Sequence, residues 1–400
     1  MKNSGGLSVS PALLTLTVAG LAIGMTEFMM MGLLPDLARS LDITIPVAGH
    51  LISIYALGVV IGAPVIVAVA ARFPEKNVLI GLMLVNAVFN LLFAIAPGYK
   101  FLMVFRLLAG LPHGAFFGMG AVVAGKLARS GGEAKAVSVM FAGLTVANIF
   151  GVPLGTYIGH NYNWRFSFLL ISAVALIAAF CIKRWMPVIL HENKPGFKQT
   201  ASLFTRSSFW IIIAISAIGT GGMFAWISYI APLMTEVAGF SANSITVIRI
   251  IAGVGMAVGN FVGGRLGDRF SPLKTTGSLL LSMVVCLFIV SLVSNYEVPS
   301  VIMTFVTGAV AFAVISPMQM LMIQTAKGSE MLASSSLQAS ANMGNALGAF
   351  LGGLPIAAGY GFTAPEYVGA GLAFAGFLLC IFLNFKMKLS PPVLLQASAQ

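Results

Sequence analysis

Apolar stretches of about 20 residues recur twelve times along this chain, and no other feature restricts its fold so tightly. Each is long enough to cross a ~30 Å hydrocarbon layer as a helix. They fall at roughly 12–34, 48–70, 77–96, 101–125, 135–158, 164–183, 207–232, 243–264, 275–294, 299–324, 332–357 and 366–385. The composition agrees. With 58% hydrophobic and 8% charged residues, and a mean hydropathy of +0.99, 400 residues lack the polar surface to cover a soluble core. Residues 12–34 make a full span with no small-residue cleavage site, so no cleaved leader is expected.

The net charge of +11 suggests nucleic acid, but its placement argues otherwise. With the N-terminus placed inside, seventeen Lys and Arg fall in inner loops and tails, against Arg39, Lys100 and Arg165 outside. That asymmetry predicts an inner-membrane protein with both termini cytoplasmic, its basic loops against anionic lipid headgroups. Cys181, Cys286 and Cys380 lie in or at the ends of spans without CxxC or metal spacing, and read as packing residues.

The sequence repeats itself at 197 residues. Gly24 falls on Gly221 and Pro35 on Pro232; Ile54, Gly58 and Gly62 fall on Ile251, Gly255 and Gly259. Arg72-Phe73 falls on Arg269-Phe270, Glu133 on Glu330, and Asn148, Gly151 and Gly155 on Asn345, Gly348 and Gly352. Paired loop charges and prolines in one register are not chance matches of Gly or Leu. The chain divides into bundles at 1–183 and 207–400 joined by a polar linker, 184–206. Six spans in each make the repeat parallel, related about the membrane normal.

Gly264-Arg-Leu-Gly-Asp268-Arg269-Phe270 resembles the cytoplasmic loop signature of the major facilitator superfamily. A carboxylate between two Arg on a tight turn can cap a helix and latch the inner ends of the bundles. The first half keeps Arg72 but has Ala71 where the family usually has Asp, so a lopsided gate is expected. Arg106-Leu-Leu-Ala-Gly110 resembles the family's intramembrane Arg motif. Gly143 through Asn148, Gly151, Pro153 and Gly155 resembles the fifth-span motif of its antiporter branch, with Val152 interrupting the usual Gly-Pro. Gly24-Met-Thr-Glu27-Phe28 and Pro112-His113-Gly114 look most like AraJ-type sugar-efflux transporters. The resemblance implies an all-α fold of twelve transmembrane helices in two parallel six-helix repeats. It also implies a monomer that carries a small molecule by alternating access, driven by the proton-motive force and needing no cofactor.

An ionisable side chain within a span is costly unless paired or hydrated, which makes each a candidate. Glu27 and Arg106 sit at matching depth, ~10 Å and ~8 Å below the outer ends of their apolar stretches. In the resembled fold spans 1 and 4 line a central cavity, so the two are expected to pair directly or through water. Glu27 is then the proton-exchanging group, or else half of a fixed ion pair. His113, two turns deeper, is a proton relay or substrate ligand, or else a hydrogen-bonded structural His. Phe28, Phe117, Phe224, Trp226, Tyr229 and Asn148 are expected to line the substrate site, or to pack. Arg249 stands without an acidic partner in its own half. Asp36, Asp42, Glu236, Glu297 and Glu366 read as solvated outer-loop residues. No metal cluster, nucleophile–base pair or phosphate loop is present, so catalysis is not expected. Two functions remain: proton-coupled efflux of a sugar-like or amphipathic compound, and an uncoupled uniporter or importer of the same fold.

Overall fold

The structure is a computed structural model, and it describes residues 10–70, 73–128, 133–188, 202–326 and 330–389. Among the described residues every regular element is helical. Among the described residues ten helical segments are long and apolar enough to cross a membrane. One of them, Val139–Trp185, has 47 residues, about twice a span, and folds back at Asn163, whose backbone is extended (φ −158°, ψ 133°). The 28-residue helix Glu330–Ala357 is also long enough but is rich in Ser, Asn and Gly. With these two the count reaches twelve, as the apolar stretches predicted.

Spans 1 to 4 are Pro11–Leu41, Ile45–Ala70, Glu75–Ile95 and Tyr99–Leu127. Span 5 is built from Glu133–Val146, a π-helical turn Ala147–Gly151, Val152–Ile158 and a second π-helical turn Gly159–Asn163. Span 6 is Trp164–Trp185. Span 7 starts at Ser207–Ala214, continues through a π-helical turn Ile215–Gly219 and Gly221–Ser228, and ends in Ile230–Pro232 and the π-helical turn Leu233–Val237. Spans 8 and 9 are Ser244–Arg269 and Pro272–Val293. Span 10 is Glu297–Ala313 continued by Ile315–Thr325; span 11 is Glu330–Ala357 and span 12 Ala364–Leu389. Span 1 shows how the sequence sets such limits. Ser10 caps it by accepting from the Leu13 N–H, Pro11 opens it, and Asp42 closes it in the left-handed conformation at φ 53°.

The repeat is visible in the packing. Spans 1 and 5, 2 and 4, and 3 and 6 lie together, as do 7 and 11, 8 and 10, and 9 and 12. Lipid tails are as apolar as leucine, so close backbone contact must hold helices together, and small residues permit it. A Cβ on Gly58 or Gly62 would overlap the carbonyls of Leu107 or Leu111, and one on Gly255 or Gly259 those of Phe305 or Ala309. These contacts refine the register. Spans 2 and 8 match at 197 residues, but Leu107 and Phe305 are 198 apart, so the fourth span of each half is slipped by one.

Between the halves, span 2 packs on span 11 and span 5 on span 8. One apolar cluster joins both halves at the end poor in Lys and Arg, from Met25, Leu34 and Ile52 across to Trp226, Tyr229 and Ile248. At the basic end each half keeps a cluster of its own. One gathers Leu16, Phe116 and Met140, the other Ile215, Met318 and Leu337.

Candidate functional site

Thr26, Glu27 and Phe28, near the middle of span 1, are each engaged by a different polar partner. Arg106 is fully buried on span 4; its Nη1 donates to the Thr26 carbonyl at 2.9 Å and its Nε to the Leu51 carbonyl at 3.3 Å. Its guanidinium lies 4.4 Å from the centre of the Tyr55 ring, 5.7 Å from Phe93 and 6.0 Å from Phe168. The Thr26 hydroxyl meets Asn86 and Asn90 of span 3 at 3.2 and 3.3 Å. Glu27, 5% exposed, accepts from Asn345 Nδ2 of span 11 at 3.3 Å. The Phe28 carbonyl accepts from Arg249 Nη2 of span 8 at 3.2 Å.

The direct form of the expected Glu27–Arg106 pair is therefore not made. Among the described residues an ion pair occurs at Lys126–Glu75, and His160 Nδ1 lies 2.9 Å from the Asp36 carboxylate. The reason is geometric. Arg106 turns into a pocket of three rings and two carbonyls inside the first half, while Glu27 points across the seam to the second. Asn345, its partner, is the repeat mate of Asn148.

His113 is buried and its Nδ1 lies 3.0 Å from the Tyr55 hydroxyl, so Tyr55 joins His113 to the ring face that carries Arg106. Phe117 stacks on Phe141 at 5.0 Å and 11° within the first half. Phe28 lies 6.4 Å from Phe312 across the seam. Phe224 and Trp226 are buried in the shared cluster, and Tyr229 donates to the Ala349 carbonyl at 2.6 Å.

The fifth-span motif has a structural explanation. Pro153 has no N–H for the Ile149 carbonyl, and the turn before it, Ala147–Gly151, widens to π-helical spacing. Asn148 Nδ2 bonds back to the Leu144 carbonyl at 3.0 Å. Gly151 and Gly155 then receive Met25 and Met29 of span 1, and Gly253 of span 8 closes on the Asn148 backbone.

At the basic end Gly264 and Arg269 belong to the last turns of span 8, which runs helical to Arg269; the motif is a helix end and not a tight turn. Arg265 lies 3.7 Å over the Phe261 ring and Arg269 5.5 Å from Phe270. Arg72 and the Asp268 side chain lie outside the described residues. In the first half Glu75, at the start of span 3, meets Lys126 at 3.6 Å.

Two acidic residues read as solvated are not. Asp36 lies inside the span 1 helix, 2.9 Å from His160, and Glu366 is 1% exposed in the first turn of span 12. Sequence reasoning passed over Tyr55, Asn86 and Asn90, used Asn345 only as a repeat landmark, and left Arg249 facing either the cavity or a headgroup, although a lone intramembrane Arg was the signal. Among the described residues no cluster of His, Cys, Asp and Glu could hold a metal.

The comparisons with known proteins agree with this architecture. The sequence profile of the Major Facilitator Superfamily matches residues 16–335 and 242–397. The chain is 37% identical over 363 residues to the putative transporter AraJ of Escherichia coli K12, covering 91% of this chain and 92% of that one. It is 38% identical over 385 residues to the inner membrane transport protein YdhP of the same strain, covering 96% and 98%. A chloramphenicol resistance protein of Streptomyces lividans is 29% identical, covering 92% and 94%. The fold is similar to the inward-facing, unoccupied structure of a bacterial homolog of the human lysosomal transporter Spinster, with a TM-score of 0.67, 14% identity and 94% and 96% of the chains covered. A multi-pass chain of two parallel six-helix repeats, matched along its length, belongs to the Major Facilitator Superfamily.

Proposed function

We propose that this chain is a proton-coupled efflux carrier for a small sugar-like or amphipathic compound, working by alternating access, with its basic end toward the cytoplasm. The observation that carries the reading is Glu27. Its carboxyl is buried in span 1 and bonded to Asn345 of the opposite half. A group so placed loses that partner when the halves move, so its protonation and the seam's closure are linked. The halves share one core at the Lys- and Arg-poor end and keep separate cores at the basic end, which suits a carrier closed on one side. The resistance protein of Streptomyces lividans supports efflux as the direction, and the AraJ-like motifs support a sugar-like cargo.

The test uses everted membrane vesicles holding a pH gradient. Sugars and chloramphenicol are added in turn to wild type and to Glu27→Gln. A coupled carrier dissipates the gradient with its own compound, and Glu27→Gln, inserted at a similar level, does not. Equal dissipation by both proteins removes Glu27 from the coupling step. Transport of a compound by wild type with no effect on the gradient favours the uncoupled carrier.

A further inference from the structure

Arg249 lies one turn inside the start of span 8 and is 2% exposed in the seam between the halves. Its Nη2 reaches the Phe28 carbonyl, while Nε and Nη1 have no hydrogen-bond partner among the described residues. Arg106 is better provided for: among the described residues only its Nη2 lacks a hydrogen-bond partner, and two carbonyls and three ring faces surround it. Among the described residues Arg249 has one carbonyl and no ring face against its guanidinium. A buried charge held by a single acceptor leaves most of its lost hydration unreplaced.

The repeat shows that packing does not ask for a cation there. The mate of Arg249, 197 residues earlier, is Ile52, which is 1% exposed on span 2. An aliphatic side chain fills the equivalent place in the first half. The charged side chains on or bonded to residues 26–28 are Glu27 itself, Arg106 and Arg249, two positive against one negative. One more negative charge would balance them. Bare guanidinium N–H groups in a low-dielectric seam bind carboxylate and phosphate oxygens best.

We infer that Arg249 is the docking point for an anionic oxygen group, a carboxylate or phosphate, carried by the transported compound; this deepens the transport reading above. Lipid headgroups offer the same oxygens. Arg249, however, is 2% exposed and bonded to the Phe28 carbonyl of the opposite half, so it does not stand at an exposed face.

The experiment measures the thermal unfolding of the full chain in neutral detergent at fixed ionic strength, with no gradient present. The probes are gluconate, glucose 6-phosphate, glucose and phosphatidylglycerol. One or both soluble anions should raise the midpoint of wild type, and glucose should not. Arg249→Ile, which copies the repeat mate, and Arg249→Gln should weaken that binding at least about tenfold, while Arg249→Lys keeps part of it. No shift with either anion, an equal shift in Arg249→Ile, or a shift with phosphatidylglycerol alone would overturn the proposal. Because nothing here depends on proton movement, these outcomes are separate from those of the vesicle test.

Discussion

Arg106 illustrates how one side chain can hold three spans at once. From span 4 it bonds to carbonyls of spans 1 and 2 and lies over the Tyr55 ring. Removing it leaves two buried carbonyls unsatisfied and a hollow in a ring-lined pocket, so Arg106→Ala is expected to cost about 2–5 kcal/mol. The readout is loss of monodisperse protein after solubilisation. Arg106→Lys should rescue little, because an ammonium cannot span both carbonyls and cover a ring together. Wild-type stability in Arg106→Lys would show that charge alone matters. At this scale the sequence revealed Glu27, Arg106 and Arg249, which lie within apolar stretches, but not Asp36 and Glu366, which lie near span ends. Tyr55, Asn86, Asn90 and Asn345 stayed hidden because uncharged polar residues are common in spans. Nor does a repeat say which spans of opposite halves touch.

Between elements, the controlling device is the close approach of spans 2 and 4, and its copy in spans 8 and 10. Gly58→Val or Gly259→Val would drive side-chain atoms into the backbone of the facing span. Each is expected to destabilise the protein by about 1–3 kcal/mol, seen as a lower unfolding midpoint in detergent. Gly81→Ala, where an added Cβ meets nothing within 4 Å, is the control and should be neutral. A neutral Gly58→Val would mean that the helices can slide apart freely. That the two halves pair their spans alike followed from the 197-residue repeat, but which spans pair, the one-residue slip of the fourth spans and the π-helical turns of spans 5 and 7 did not. Those depend on how carbonyls freed by Pro153, or crowded by a facing helix, are satisfied. Helical periodicity carries no trace of that.

In the whole molecule, the seam between the halves is crossed near its middle by Glu27–Asn345, Arg249–Phe28 and Ser53–Ala346. The central claim is that protonation of Glu27 controls whether this seam stays closed. Spin labels at Thr44 and Ser241, exposed near the Lys- and Arg-poor ends of the two halves, can report its opening after the three cysteines are replaced. Their distance distribution should be measured by pulsed electron resonance at acid and alkaline pH, in wild type and in Glu27→Gln. The account predicts a pH-dependent change of distance in wild type and a single pH-independent distribution in Glu27→Gln. An identical pH-dependent change in both proteins would contradict it.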